Sequence, residues 1–299
     1  MKKLFLMALA AITLVAFSSC SKSDDDNGGG GGGGSSSSST LPAAPYKGEG
    51  KTLKLTTNIS GINQIRLMES GAFMIACKGG YASKKIFSRA ETRGDDDIYY
   101  EFGKYSGSNG SFTFDNGMVV SYETSGSDVN VTVTWANGTT ITTSGSINTS
   151  ATVTAGAMTD DLCSRAWKID RMMATGIAGG VKLGKEFYAP IVLQDVKAWY
   201  EKDFGTLKDD FSDNPIIEGI YFDNQGLFAI NYQNRNADVG DWRWQSMDDG
   251  KLAYSWLDKA RAISVFTGAA SVAFDSKQLK LTLSGRVDST DLEFVFFLH

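Results

Sequence analysis

Val129-Asn-Val-Thr-Val-Thr-Trp135 alternates without a break, with Val129, Val131, Val133 and Trp135 on one side and Asn130, Thr132 and Thr134 on the other. A period of two over seven residues is a strand with one buried and one wet face. Ala136-Asn137-Gly138 then turns the chain into Thr139-Thr-Ile-Thr-Thr143. Asn-Gly between alternating segments is a hairpin signal. The same texture runs back to Gly48. Thr52-Leu-Lys-Leu-Thr-Thr57 alternates after Thr52, and 64–69 and 73–77 flank the turn residues Ser70-Gly71. Ile98-Tyr-Tyr-Glu-Phe102 and Ser111-Phe-Thr-Phe114 follow, the latter ending in Asp115-Asn116-Gly117. Between 105 and 164 there is no Lys or Arg, so Thr, Ser and Asn supply the wet face.

The segment 144–158 is poor in apolar residues and rich in Ser, Thr, Ala and Gly, which marks a domain boundary. The second half opens with a strand at Trp167, continues through a Gly-rich loop over 176–184, and then reads as a helix. There Leu193, Val196, Trp199, Tyr200 and Phe204 share one face, and Asp195, Lys197, Glu201 and Lys202 the other. Strands resume at 217–222, 227–232, 240–245, 251–256, 262–266, 279–287 and 292–298, with Asp223-Asn-Gln-Gly226 as a turn. The expected fold is mainly β: an antiparallel N-terminal β-domain over 46–158 and a second over 159–299 carrying one inserted helix.

Residues 1–19 read as a signal peptide, with Lys2 and Lys3 ahead of an apolar run from Leu4 to Phe17. That run is short for a bilayer span, which needs about 20 residues. Phe17-Ser18-Ser19-Cys20 resembles the lipobox of bacterial lipoproteins, in the loose form common in Bacteroidetes. The resemblance implies lipidation at Cys20 (palmitate among the chains) and anchoring to the outer membrane. Residues 20–45 then form a tether: Asp24, Asp25 and Asp26, seven Gly at 28–34 and five Ser at 35–39. The acidic patch resembles the signal that sends such lipoproteins to the cell surface, the periplasmic face being the alternative.

Composition narrows the function. The chain of 299 residues is 42% hydrophobic with a formal net charge of −5, which excludes a disordered chain and gives no basic footprint for nucleic acid. Its one histidine, His299, is the last residue, so His-based catalysis and multi-His metal sites fall away. No cofactor motif is complete. Gly179-Gly-Val-Lys-Leu-Gly184-Lys185-Glu186 nearly spells a phosphate loop, but Glu186 stands where a hydroxyl has to bind Mg²⁺. The acidic stretches Asp95–Asp97 and Asp209–Asn214 read as solvated turns, and Arg93-Gly94-Asp95 as a chance tripeptide.

The second half also carries a family resemblance. A Trp-Lys-Ile opening strand, then Tyr221-Phe-Asp-Asn-Gln-Gly-Leu-Phe228, Gly240-Asp-Trp-Arg-Trp244 and Asp249-Gly-Lys-Leu252, is similar to the lipocalin-like domains of Bacteroidetes lipoproteins. The resemblance implies a barrel, or a half-open sandwich if the helical insertion prevents closure, and binding of small apolar molecules in its mouth. Trp242 and Trp244 share one strand face, Tyr254 and Trp256 another, and a hairpin brings the four together as a ligand wall or as barrel filling. Tyr100 and Phe102 share a second aromatic face. Cys77 and Cys163 remain after Cys20, and an oxidising compartment permits a bridge between them, while a buried free thiol serves equally as a small hydrophobe. Asp288-Ser289-Thr290 resembles a Bacteroidetes O-glycosylation motif. The expected function is a surface-anchored, non-catalytic lipoprotein binding a small apolar molecule, a glycan or a partner protein. A carboxylate-dependent polysaccharide hydrolase and a purely structural envelope protein compete with it.

Overall fold

A strand with one wet face buries the other by curling its sheet around it, and each half of the chain does so. The structure, a computed structural model, describes residues 48–59, 61–78, 98–207, 216–235, 237–256, 268–275, 278–287 and 290–299. The signal peptide, Cys20, the tether, both acidic stretches, the Arg-Gly-Asp tripeptide, the strand expected at 262–266, and Asp288 and Ser289 lie outside the described residues.

In the first half, eight strands pair in chain order: β1 (Lys51–Ile59), β2 (Ile62–Leu67), β3 (Ala72–Lys78), β4 (Ile98–Ser108), β5 (Ser111–Phe114), β6 (Val119–Ser125), β7 (Asp128–Thr134) and β8 (Thr140–Asn148). β8 returns to β1 and closes the barrel, Thr52 facing Asn148 and Leu55 facing Gly145. Gly145 permits this approach, because a Cβ there would lie 2.6 Å from the Lys54 carbonyl. Val131, Val133 and Trp135 point inward beside Leu53, Ile65, Phe73 and Phe112. On the wet face the hydroxyls of Thr132 and Thr134 meet those of Thr142 and Thr140 at 2.8 and 3.0 Å.

The second half forms a ring too. β9 (Trp167–Ala178) is followed around it by β18 (Thr290–Leu298), β17 (Leu279–Val287), β16 (Gly268–Phe274), β15 (Lys251–Trp256), β14 (Ala237–Ser246), β13 (Leu227–Tyr232) and β12 (Ile216–Phe222). β12 then pairs back to β9 through Gly219–Lys168 and Ile220–Trp167. This is an up-and-down eight-stranded barrel, and the half-open alternative does not arise. The insertion between its first two strands holds β10 (Val181–Tyr188), β11 (Ile191–Val192) and the helix α2 (Leu193–Asp203). α2 turns Leu193, Val196, Trp199 and Tyr200 into the barrel core, the face expected from its spacing.

One expectation changes. The Gly-rich stretch 176–184 is not a loop: Gly179 and Gly180, both at positive φ (57° and 80°), make a two-residue turn, and β10 runs back along β9. Such a turn needs φ > 0 at both central positions, which Gly-Gly supplies. The boundary segment 144–158 joins the two barrels. It holds the end of β8, a crossing at 149–156, and the start of helix α1 (Ala157–Cys163), and Val153 already lies in the second core.

The barrels meet side by side. Along β3, Phe73, Ile75 and Cys77 face inward while Ala72 and Met74 face outward. Those outward residues pack with Met68 and Phe102 against Tyr221, Leu227, Ala229 and Val239 of the second barrel. The Phe102 N–H donates to the Arg235 carbonyl at 3.1 Å, and the Thr52 hydroxyl bonds Gln225.

Candidate binding site

The aromatic set of the second barrel was the leading candidate, and its members divide as follows. β14 and β15 put Trp242 directly opposite Tyr254 and Trp244 opposite Leu252. Trp242 is 2% exposed and Tyr254 fully buried, within one continuous core that includes Trp167, Phe222, Phe228, Tyr232 and Leu281. The Trp242 ring meets Phe222 edge-on at 5.4 Å, and its Nε1–H donates to the Asp223 carbonyl at 3.0 Å. Trp244 is half-buried, edge-on to Trp242, with its Nε1–H donated to the Thr159 hydroxyl of α1 at 2.7 Å. Three of the four aromatics therefore come together as barrel filling, with both indole N–H groups satisfied, the usual condition for buried Trp. The Trp256 backbone pairs with Gly240, and its side chain lies outside the described residues.

Cys77 and Cys163 are both buried free thiols, in the first and second cores respectively. The bridge is not formed, because each sulfur points into its own barrel. Burial pushes both thiols up, away from the thiolate that reacts.

Charged side chains gather at the barrel junction instead. Arg66 of β2 donates through Nη1 to Asp223 Oδ2 at 3.1 Å, and the Leu227 N–H donates to Asp223 Oδ1 at 2.8 Å. The Asp223 side chain is 3% exposed, and burial raises its carboxyl above the usual range despite Arg66. Burial and the neighbouring Asp223 charge push Glu69 up to about 7, the Arg66 charge offsetting part of this. Asp241 moves the same way for the same reasons. At a second point Arg235 Nη1 reaches Asp115 at 3.1 Å and Glu101 at 3.6 Å. Burial raises Glu101 to about 7, although the Asn116 amide, 3.1 Å away, and Arg235 favour its charge. Perturbed carboxyls are where acid–base chemistry is sought, yet the Glu69 oxygens are shielded from solvent and Asp223 is sealed beneath the junction. Their geometry is that of a clamp between barrels. Among the described residues no cluster of three or more His, Cys, Asp or Glu forms a metal site, and no helix is long and apolar enough to cross a membrane.

The exterior has one distinctive region. Met173, Ile177, Val181, Leu183 and Tyr188 are large apolar residues exposed on the β9–β10 ribbon, Val181 at 58% and Tyr188 at 66%. Arg171 sits 3.7 Å over the Phe297 ring and pairs with Glu186, which also accepts from the Tyr188 hydroxyl at 2.6 Å. Sequence reasoning passed over this ribbon because its glycines read as a loop. The alternation of Val181 and Leu183 with Lys182 was the available signal. A scan against protein-family models and a search of curated proteins each return no match to this chain.

Proposed function

We propose that the protein is a non-catalytic lipoprotein, held at the outer membrane through lipidated Cys20 and displayed on the cell surface, that contacts a partner protein with the outside of its barrels. One observation carries the choice among the binding readings. Trp242 and Tyr254 are spent on a continuous core, so side chains occupy the interior where a small apolar molecule would sit. The exposed apolar residues, by contrast, concentrate on one ribbon, which suits a protein contact. The lipobox-like Phe17-Ser-Ser-Cys20 supports the anchor.

Titration of the purified chain with a fluorescent fatty-acid analogue tests the reading. The expected result is no saturable binding and no quenching of tryptophan emission; stoichiometric quenching would return the interior to use as a ligand site. For the anchor, Cys20→Ala is expected to release the protein from the membrane fraction and abolish labelling by radioactive palmitate.

A further inference from the structure

β10 ends the second sheet. It pairs with β9 on one side, and no described strand pairs with its other side. Seven of its eight residues are exposed, all but Phe187. The turn at Gly179-Gly180 closes on the Ala178–Val181 pair. In a two-residue hairpin that pair exchanges hydrogen bonds, so Val181, Leu183, Lys185 and Phe187 direct their amides to β9. Lys182, Gly184 and Glu186 direct theirs outward, an open template for another strand.

The side chains along this edge are self-complementary in one register. Antiparallel self-pairing about a two-fold axis sets each residue opposite one of the same face, so the axis passes through a residue. Centred on Lys185, it opposes two lysines. Centred on Leu183, it leaves Lys182 against Gly184 and Glu186 against Gly180. Centred on Gly184, it sets Lys182 opposite Glu186 twice, Val181 opposite Phe187 and Leu183 opposite Lys185. The outward amides of 182, 184 and 186 then face one another as hydrogen-bonded pairs.

We infer that β10 is a homodimer seam, two copies of this chain pairing edge to edge about Gly184. The seam rests on the reading of exterior protein contact and names the partner. Lysines on an edge strand otherwise serve to repel strands; here Lys185 meets Leu183 across the axis, and Lys182 meets Glu186, joining the Arg171 that Glu186 already pairs with in its own chain. A single strand pair is small against the roughly 800 Å² per partner of a standard interface. The dimer is therefore weak in solution, and confinement to a membrane raises its effective concentration.

The test uses the full chain in detergent under mild oxidation, read on non-reducing gels. A Cβ at 184 would meet only the Ala174 carbonyl at 3.4 Å and the Thr175 hydroxyl at 3.6 Å, so Gly184→Cys fits the fold. Gly184→Cys is expected to cross-link to itself, whereas Lys182→Cys alone is not, because its opposite is Glu186. Opposed hydrogen-bonded residues sit about 5.5 Å apart between Cα atoms, within disulfide reach. By sedimentation, Lys182→Glu or Glu186→Lys should each weaken association about tenfold, and the double exchange should restore it. A monomer at all concentrations, cross-linking of Lys182→Cys as fast as Gly184→Cys, indifference to the charge exchanges, or cross-linking only to another protein overturns the seam. Fatty-acid binding inside the barrel would instead sink the reading beneath it, so the two failures are distinguishable.

Discussion

Asp223 does three things at once. Its carbonyl accepts from the Trp242 indole, its Oδ1 caps the Leu227 N–H, and its Oδ2 faces Arg66 of the other barrel. Removing one partner of a buried ion pair leaves an uncompensated charge, worth about 3–5 kcal/mol. Arg66→Met is expected to cost that much in chemical denaturation, and Arg66→Met with Asp223→Asn to recover part of it. Trp242→Ala is expected to cost about 3–5 kcal/mol by emptying a packed site. Glu69 and Glu101 add a pH dependence. Both have folded values of about 7 against 4.5 for the free group, so the folded chain holds protons that the unfolded chain has released. Their contribution is complete below about pH 4.5 and lost as pH rises through 7, on the order of 2–3 kcal/mol per carboxyl. Asp223 and Asp241 shift in the same direction. Denaturation series from pH 5 to 8 should show stability falling with pH, and Glu69→Gln with Glu101→Gln should flatten the fall. A variant slope as steep as the parent's would contradict the assignment.

Among the elements, α2 depends on a glycine in another strand. A Cβ on Gly176 of β9 would collide with the Phe204 ring that closes the helix. Gly176→Val is expected to cost about 1–3 kcal/mol, to speed amide exchange in the last turn of α2, and to be partly rescued by Phe204→Ala. This scale also shows what the sequence could reveal. β7 was legible because one face is wet, and α2 because its apolar residues fall on one helical face. β3 and β13 were legible as strands, but the reason for their composition was not: Ala72-Phe-Met-Ile-Ala-Cys77 and Leu227-Phe-Ala-Ile230 are apolar throughout because both faces are covered, one by the strand's own barrel and one by its neighbour. That double coverage is visible only once the barrels are side by side. The clamp residues were illegible for a similar reason, Arg66 and Asp223 being 157 positions apart in the chain. Trp242, Trp244 and Tyr254 do lie together, but alternation cannot tell a filled barrel from a hollow one.

For the molecule as a whole, an apolar patch and two charged contacts bind the barrels into one unit. They are expected to unfold together in a single calorimetric transition. Met74→Glu, which buries a charge against Tyr221 and Leu227, is expected to split that transition in two; two transitions in the parent would show the barrels to be independent.

The described chain begins beside this junction. The Gly48 N–H donates to the Glu69 carbonyl, the Glu49 N–H to the Tyr105 hydroxyl at 2.7 Å, and the Gly50 carbonyl accepts from Gln225 at 3.4 Å. Whatever precedes Gly48 is thus attached at the waist of the molecule, between the barrels, and not at either pole. A pull from that side loads β1 first, a strand held on both flanks by β2 and β8, and passes through Gln225 into the second barrel. The attachment point is braced like the shared wall of two rooms: drag on the second barrel reaches it across the Gln225 contacts and drag on the first through β1 itself.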